Sequence, residues 1–397
     1  MNILVVCQYF YPENFQINPI CEQLVKDGHC VTVLTGLPNY PTGIIPKDYK
    51  HGQKRDEILN GVHVIRCNEI GRKHGPVFLA LNYLSFILAS THKIKTLKEK
   101  FDVVFVYQLS PVFMGIPAVK YSKKNNVPLF LYCCDLWPES LKMYIKSETN
   151  PLYKYVKKIS NKIYKACDLI SVQSTSFNDY FKEVHGIEEK KLLYIPAFAD
   201  EAYLSQDFTP TDDCVDFVFL GNLGKAQNLI TILKAIKIIK DTPNFKVHFV
   251  GDGSCLEEMK FFVKENQLDN YVEFYGRRPV AEMPEFYKLA DVCLVSLKAD
   301  NKTGLTLPSK VQGYMAAGKP ILGMIKGSAK DVIEESHCGI CVEPDDIDSF
   351  AKAMKDFIEN KEKYSEAGKN GRDFFIKNFK KDIFMPKLEK ALASLIK

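Results

Sequence analysis

The segment that precedes Gly318 combines residue types that suit an anion. Pro308 follows Leu307 and opens a short helical pattern, and proline suits a helix start because its φ is fixed and its missing N–H needs no partner there. Ser309 is a plausible cap for this helix, and Gly318 suits its end. A helix start offers unpaired N–H groups and the positive end of the helix dipole, to which Lys310 adds a full charge. Taken alone, the segment also fits an ordinary loop-to-helix connection.

A second loop with similar chemistry follows a predicted strand in the middle of the chain. Its candidate ligands are Gly221, Asn222, Leu223, Gly224, Lys225 and Gln227. Glycines let the backbone approach a ligand closely, lysine supplies a point charge, and the amides of Asn222 and Gln227 donate hydrogen bonds. The loop therefore suits a diphosphate, although it is not a Walker loop, because no Ser or Thr follows Gly224-Lys225. A plain glycine-rich turn stays open as the alternative.

Further turns follow the next two predicted strands. They contribute Gly251, Asp252, Gly253, Arg277 and Pro279. Each turn is a weak signal alone, but ligands of open α/β sheets bind outside the carboxyl ends of the strands, where these loops should meet. We therefore predict one anion site formed by several loops.

The first half of the chain brings aromatic residues close to carboxylates and amides. The candidates are Glu13, Asn14, Asn39, Tyr40, Asp135, Trp137 and Glu139. Aromatic faces and polar hydrogen-bonding groups together suit a sugar, which has apolar ring faces and hydroxyl edges. Trp137 equally fits simple core packing.

These loops require a scaffold, and the chain supplies two. Short β-branched or aromatic runs alternate with amphipathic helical patterns twice, which predicts two parallel sheets covered on both faces. A polar, proline-containing segment separates the two series. We predict an N-terminal domain over residues 1–200, a linker over 201–214 and a C-terminal domain over 215–381. The final helix, 382–397, is a candidate to complete the first domain.

Composition limits the class of protein. The 397 residues include 46% hydrophobic and 25% charged residues, which is typical of a globular protein. The 12 cysteines are scattered through apolar runs, with neither zinc spacing nor a signal peptide, which favours the cytosol. Residues 1–200 hold 25 Lys and Arg against 18 Asp and Glu, a basic balance that favours anionic surfaces or substrates. A solvated face that carries the excess lysines stays open as the alternative.

The most apolar stretch is Pro76 to Ser90. We predict it to be too short to span a bilayer. A buried helix is the favoured interpretation. The lysines that follow, from Lys93 to Lys100, leave open a helix lying in the surface of an anionic membrane.

Taken together, the motifs resemble the retaining glycosyltransferases of sequence family 4, closest to the branch that builds bacterial capsule, O-antigen and colanic-acid polysaccharides, with N-acetylfucosamine transferases among its members. The matching segments span nearly the whole chain: Tyr9-Phe-Tyr-Pro-Glu-Asn14, Leu37-Pro-Asn-Tyr-Pro41, Asp135-Leu-Trp-Pro-Glu-Ser140, Gly221-Asn-Leu-Gly224 with Gln227, Gly251-Asp-Gly253, and Pro308-Ser-Lys310 with Tyr314-Met-Ala-Ala-Gly318.

The resemblance implies a GT-B fold, in which two doubly wound Rossmann-like α/β domains face a cleft. It implies a UDP-sugar donor held by the C-terminal domain as co-substrate. We expect no cofactor, metal or nucleic acid, since no Asp-x-Asp motif is set in a metal-binding loop. The resemblance also implies a polyprenyl-diphosphate-linked saccharide acceptor at the inner face of the cytoplasmic membrane, bound by the N-terminal domain. Asp135, Lys225 and Lys310 are then the catalytic candidates, and the acceptor proton passes to the leaving phosphate.

The chain departs from the family pattern in three places. On the loop Gly221–Asn228, Asn222 and Gln227 stand where many members have Arg and Lys, and Lys225 is offset. The family's pair of glutamates would fall at Leu305 and Gly313, and its histidine near Asp135. Two other functions therefore stay open, a GT-B UDP-sugar epimerase and a non-catalytic sugar-nucleotide-binding subunit of a polysaccharide-assembly complex.

Overall fold

The computed structural model describes residues 1–73, 75–145, 147–210, 213–298 and 306–396. The chain divides into two compact units, the first formed by Met1–Ile195 with Met385–Lys397 and the second by Pro196–Phe384. The segment 201–214, which the sequence analysis treats as a linker, therefore falls within the second unit. The last helix, Lys381–Ala393, contributes its first residues to the second unit and the rest to the first.

The first unit is built on an eight-stranded sheet. Its strand order is β3-β4-β2-β1-β5-β6-β7-β8, and every pairing is parallel except that of β3 with β4. The strands are β1 (Asn2–Val6), β2 (Cys30–Thr35), β3 (Asp56–Leu59), β4 (Val62–Arg66), β5 (Val103–Gln108), β6 (Leu129–Cys133), β7 (Leu169–Val172) and β8 (Leu192–Tyr194).

Helices flank this sheet. They are α1 (Ile17–Lys26), α2 (Pro76–Lys93), α3 (Gly115–Asn125), α4 (Pro151–Ala166) and α5 (Ser176–His185). Helix α3 packs against β1, β5 and β6, and it also packs against α2 and α4. Helices α2, α3 and α4 therefore form one layer on one face of the sheet.

The second unit is built on a six-stranded, fully parallel sheet of order β11-β10-β9-β12-β13-β14. Its strands are β9 (Val215–Leu220), β10 (Phe245–Val250), β11 (Val272–Gly276), β12 (Val292–Ser296), β13 (Ile321–Met324) and β14 (Gly339–Val342). Its helices are α6 (Leu229–Ile239), α7 (Leu256–Glu265), α8 (Met283–Leu289), α9 (Ser309–Ala316), α10 (Ser328–Glu335), α11 (Ile347–Glu359) and α12 (Ser365–Asn378), followed by α13 (Lys381–Ala393).

The central strands of both sheets are buried along almost their whole length. All six residues of β5 and of β9 are buried, as a sheet covered on both faces requires. The prediction of two doubly wound α/β domains is thereby confirmed. Strand β3 was not predicted, because its half-exposed sequence Asp-Glu-Ile-Leu carries no apolar run; it joins the sheet edge through an antiparallel pairing with β4.

Helix α2 differs from the sequence expectations. It extends beyond Ser90 to Lys93 and continues as a 3-10 turn to Thr96, and an 18-residue window within these 21 residues has a mean hydropathy of 1.3. By length and composition alone, the whole helix could therefore cross a membrane, although the predicted stretch from Pro76 to Ser90 is shorter than a bilayer span. The favoured buried helix was wrong, because only Asn82, Phe86 and Ser90 are buried in α2.

Candidate active site

Three glycine loops interlock at the carboxyl edge of the second sheet. Leu223 N–H donates to the Asp252 carbonyl (2.9 Å), and Gly251 N–H donates to the Gly276 carbonyl (2.9 Å). Gly251 has a φ of 148°, and a Cβ there would overlap the carbonyl oxygen of Gly221. Only glycine therefore allows this approach, which draws the predicted residues Gly221, Leu223 and Gly251 into one cluster.

Lys310 reaches this cluster from α9. Its Nζ donates to Gln227 Oε1 (2.7 Å) and lies 3.8 Å from the centroid of the Phe219 ring. The same amine would lie 3.3 Å from a Cβ on Gly221. Burial lowers the pKa of Lys310 to about 7, since no carboxylate of the described residues lies within 4.0 Å. The second unit thus holds a buried amine that no carboxylate of the described residues contacts, and a bound anion would favour its charged form.

The other predicted residues of this edge are more open to solvent. Lys225 is exposed and begins a 3-10 turn, and Asn222 and Arg277 are exposed as well. Asp252 accepts the N–H of Gly253 (2.7 Å), which orders the second glycine loop. Pro279 is also exposed and caps the 3-10 turn that leads into α8.

The start of α9 differs in detail from the sequence prediction. Pro308 is the N-cap and Ser309 is the first helical residue, without a side-chain capping bond. Leu307 packs against the apolar core of this unit. Gly318, with a φ of 67°, follows the helix end as predicted. The preceding positions 303–305, including the one where the family has its first glutamate, lie outside the described residues.

A buried polar network lies at the carboxyl ends of β1, β2 and β4 in the first unit. Glu69 Oε1 accepts hydrogen bonds from Asn39 Nδ2 (2.8 Å), Gln8 Nε2 (3.3 Å) and Asn82 Nδ2. Gln8 also donates to Asn82 Oδ1 (2.9 Å), while Glu13 accepts the N–H groups of Asn39 (2.7 Å) and Tyr40 (2.5 Å). The network therefore ties two predicted acceptor loops to the middle of α2.

Burial dominates the electrostatics of this network. It raises the pKa of Glu69 to about 8 against three hydrogen bonds that lower it, so Glu69 is mainly protonated at neutral pH. Burial also raises the pKa of Glu13, whose charged form is favoured by the N–H groups of Tyr40 and Asn39. A Cβ at Gly36 would overlap Glu69 Oε2, so the loop after β2 can pass the carboxyl group only as glycine.

Arg72 lies beside this network. Its N–H donates to Asn39 Oδ1 (3.1 Å), its Nη1 donates to the Tyr9 hydroxyl (3.3 Å), and its guanidinium lies 5.5 Å from the Tyr40 ring centroid. No carboxylate of the described residues lies within 4.0 Å of it. A cavity of about 350 Å³ next to it is lined by Arg72, Lys73, Gly75, Pro76, Leu79 and Tyr144. The first unit thus also has a cation that no carboxylate of the described residues contacts directly, and the Glu13 carboxylate interacts with it only at longer range.

The loop after β6 is packed more tightly than the sugar hypothesis requires. Trp137 is only 7% exposed, and its Nε1 donates to Ser110 Oγ (3.0 Å), so its ring faces belong mainly to the interior. Glu139 is 4% exposed and pairs with Lys142 (2.7 Å). The core-packing alternative describes both residues better than exposed acceptor contacts do.

Asp135 is placed differently from its two neighbours. It is half-buried, accepts Ser110 Oγ (2.8 Å), and has a pKa that burial raises. Of the other predicted acceptor residues, Asn14 is exposed and Tyr40 is 49% exposed.

Sequence reasoning missed Gln8, Glu69, Arg72 and Asn82. Glu69 and Arg72 follow β4. The candidate residues of the other loops were identified by their position after a predicted strand, and the same signal could have identified these two. Asn82 interrupts an apolar run and could have been recognised as a buried polar contact, because such groups need partners.

Comparison with known proteins agrees with this arrangement. Residues 17–203 match the family described as Glycosyltransferase Family 4, and residues 204–374 match Glycosyl transferases group 1. A probable glycosyltransferase of Pseudomonas aeruginosa, WbjE, is 26% identical over 62% of this chain and 64% of its own length. The chain thus spans just under two thirds of that relative.

Two further proteins are similar to this chain over larger shares of their own length. An α-1,4-N-acetyl-D-galactosaminyltransferase of Campylobacter jejuni, which is named for an acceptor on diphosphoundecaprenol, is 27% identical over 72% of this chain and 75% of its own. HepE of Anabaena, solved in complex with UDP, superposes with a TM-score of 0.71 over 99% of this chain and 100% of its own at 15% identity. The chain therefore has the GT-B fold, with a region that matches Glycosyltransferase Family 4 followed by a region that matches Glycosyl transferases group 1.

Proposed function

We propose that this glycosyltransferase transfers a sugar, with retention of configuration, from a nucleotide sugar to a saccharide carried on polyprenyl diphosphate. The donor is a UDP-linked N-acetylated or deoxy-hexosamine such as UDP-N-acetylfucosamine, and the product serves a bacterial surface polysaccharide. The reaction takes place at the inner face of the cytoplasmic membrane. The observation that carries the lipid-linked part is the exposed apolar stripe of α2, formed by Val77, Leu81, Leu84 and Leu88, which begins four residues after Lys73.

The donor chemistry follows from the loops of the second unit. The bond from the anomeric carbon to the β-phosphate oxygen breaks, and negative charge accumulates on the departing diphosphate. Preorganised donors stabilise such charge without reorganising during the reaction. Lys310 beside the Gly221 loop, the exposed Lys225 and the N–H groups at the start of α9 are such donors. The acceptor oxygen bonds to the same face of the sugar, and its proton passes to the leaving phosphate.

The acceptor chemistry follows from the first unit. Arg72, Lys73 and the amino end of α2 offer positive charge beside the cavity of about 350 Å³. Val77, Leu81, Leu84 and Leu88 recur along one stripe of α2 and are 39–68% exposed. A diphosphate near Arg72 and a polyprenyl chain along this stripe would both find complementary chemistry. The Campylobacter jejuni relative, named for a diphospholipid acceptor, supports the same class.

An interfacial position fits α2 better than a membrane-spanning one. Asn82, at the centre of the helix, is fully buried and donates to the Ile70 carbonyl (2.7 Å) within the Glu69 network. Moving α2 into a bilayer would leave these buried polar groups without partners, at a cost of about 1–3 kcal/mol for each. A helix that keeps Asn82 in place and inserts only its leucine stripe loses none of these bonds.

Product analysis tests this function. The full chain is incubated with UDP-, GDP- and dTDP-sugars and a synthetic polyprenyl-diphosphate-linked saccharide, and the products are identified by mass spectrometry and NMR. A lipid-linked product with the donor's anomeric configuration is expected. An inverted product would refute retention, a C2-epimer of the donor would indicate the epimerase, and binding without turnover would indicate the non-catalytic subunit.

A variant pair tests the acceptor part separately. Arg72→Gln should raise the KM for the lipid-linked acceptor about tenfold or more, because a charge-assisted contact contributes about 1.5–3 kcal/mol. Lys50→Gln removes an exposed cation of the same unit and is the matched control. Equal acceptor KM values in the two variants would exclude Arg72 as a diphosphate contact.

A further inference from the structure

Helix α4 carries a set of lysines that form no ion pair with the described residues. Its sequence from Pro151 to Ala166 contains no acidic residue, and no carboxylate of the described residues lies within 4.0 Å of these ammonium groups. They form what we call the lysine face: Lys154, Lys157, Lys158, Lys162 and Lys165. Helical periodicity places all five on one side, opposite the buried Val156 and Ile163. Like charges gathered this way repel one another unless an anionic partner covers them.

The neighbouring helix extends this charge. Helix α3 carries the exposed Lys120, Lys123 and Lys124 and also lacks acidic residues. Since α3 packs between α2 and α4, the outer surface of this layer runs from the leucine stripe of α2 across these lysines to the lysine face. Apolar and cationic regions therefore lie side by side on one helical layer.

We propose that the lysine face is a second membrane contact, which binds anionic lipid headgroups while the leucine stripe of α2 inserts. The inference rests on the membrane location in the proposed function and adds an electrostatic component at a separate helix. Charge complementarity selects the partner, because lysines near an anionic leaflet are attracted without inserting. Tyr155, which helical periodicity places beside the lysine face and which is 60% exposed, favours a lipid interface over a nucleic acid, since tyrosine settles readily at headgroup level.

Two contacts have a geometric consequence that one contact lacks. A single amphipathic helix leaves the protein free to rotate about the helix axis. A second contact on the same layer removes that rotation, and it fixes the direction in which Arg72 and the polar network face the bilayer. The lysine face would therefore influence turnover on membrane-embedded acceptor more than turnover on a short-chain, water-soluble one.

Liposome flotation with the full chain tests this proposal. The test variant replaces all five residues of the lysine face by glutamine. The control makes the same change in net charge in the second unit, with glutamine at Lys234, Lys237, Lys240, Lys264 and Lys352. Vesicles of phosphatidylcholine, with and without 30 mol% phosphatidylglycerol as a chosen composition of roughly physiological charge, are used at low and high salt.

The test variant should bind phosphatidylglycerol vesicles about tenfold or more weakly at low salt, with the difference shrinking at high salt. The control should bind like the wild-type chain. A third variant with serine at Leu81, Leu84 and Leu88 should lose the salt-resistant part of binding.

Equal binding by the test variant and the wild type would overturn the lysine face while leaving the α2 stripe intact. Loss of binding only in the serine variant would have the same meaning. If wild type ignored anionic vesicles but bound heparin through these lysines, the surface would be a general polyanion site and the membrane inference would be wrong. Proper folding of each variant is checked by its thermal unfolding, which exposed lysine substitutions should leave nearly unchanged.

Discussion

Replacing Lys310 by methionine should weaken UDP binding and remove most of its dependence on pH. Burial lowers the pKa of Lys310 from 10.5 to about 7 in the ligand-free protein. A bound diphosphate favours the charged amine, so binding must draw a proton onto Lys310 wherever the amine is neutral. Below pH 7 the amine is already charged and binding is at full strength. Above pH 7 each pH unit should raise the apparent Kd of the wild type up to about tenfold.

The size of the effect can be worked out from this shift. Between pH 7 and pH 9 the contribution of Lys310 should raise the apparent Kd by up to about fiftyfold, because the charged fraction falls from about one half to about one hundredth. The terminal phosphate of UDP ionises near pH 6, which strengthens binding as pH rises, so the comparison must be between variants. In turnover, loss of one preorganised donor should cost roughly 3–4 kcal/mol, or on the order of a hundred- to a thousandfold.

Isothermal titration calorimetry between pH 6 and pH 9 measures both quantities. Two buffers of different ionisation heat reveal proton uptake, which should approach one proton per UDP at the alkaline end in the wild type and vanish in Lys310→Met. Lys288→Met removes an exposed lysine from α8 and is the control. The reasoning fails if Lys310→Met keeps the wild-type pH profile, or if the wild type takes up no proton at pH 8.

Four further outcomes are expected. Lys225→Ala should keep the wild-type unfolding temperature and lose about a hundred- to a thousandfold in kcat with saturating donor, because Lys225 is exposed and its role lies in the charged transition state; near wild-type turnover would exclude it. Activity should survive EDTA, and loss that Mg²⁺ restores would overturn the metal-free mechanism. Gly251→Ala should lower stability by about 1–3 kcal/mol and abolish UDP binding, since the new Cβ meets the Gly221 carbonyl; unchanged UDP affinity in calorimetry would count against the interlocked loops. Glu69→Gln should flatten the pH dependence of stability: the raised folded pKa means that the wild type holds an extra proton between about pH 4.5 and pH 8 and loses stability as pH rises through that window, which urea titrations at pH 5 and pH 8 will measure.

The sheets were predictable because their physics is local in sequence. A parallel strand buried on both faces reads as an apolar run, as in β5 and β9, and the helices between such runs read as amphipathic patterns. Strand β3 escaped because it lies at an edge and pairs through a neighbouring turn, so that its side chains bury little. The other strands could be predicted because burial on both faces produces an apolar run, and not because of their strand propensity.

The loops of the second unit were predictable for a different reason. Every one of them follows a strand, and parallel strands place their carboxyl ends at one edge, so Gly221, Gly251 and Lys310 meet through topology alone. The sequence could not show that Lys310 lies against Phe219 and donates to Gln227. Those contacts depend on the direction of α9, which no residue spacing encodes. Its lowered pKa was hidden for the same reason.

Helix α2 of the first unit shows why its apolar composition led to the wrong prediction of a buried helix. An apolar helix in a globular protein is ordinarily buried, and that expectation was wrong because hydrophobicity says how much a side chain avoids water, not whether protein or lipid replaces the water. The informative residue is the polar one. Asn82 is one of three buried residues in a helix whose Leu81, Leu84 and Leu88 are exposed, and its partners Gln8 and Glu69 follow β1 and β4.

The buried Asn82 and the exposed leucines of α2 connect the apolar surface of this helix to the acceptor loops. A helix held to the protein by a polar network and turned outward by its leucines can lie in a bilayer without loosening its attachment. The same network orders Asn39, whose N–H is fixed by Glu13 and whose side chain receives the N–H of Arg72. Any displacement of α2 that moves Asn82 away from Glu69 and Asn39 must therefore break buried hydrogen bonds, at a cost of about 1–3 kcal/mol each. The hydrogen bonds thus hold the apolar helix and the acceptor loops in one arrangement. A lipid-linked substrate would require this arrangement, because its lipid and its saccharide would contact the two parts at the same time.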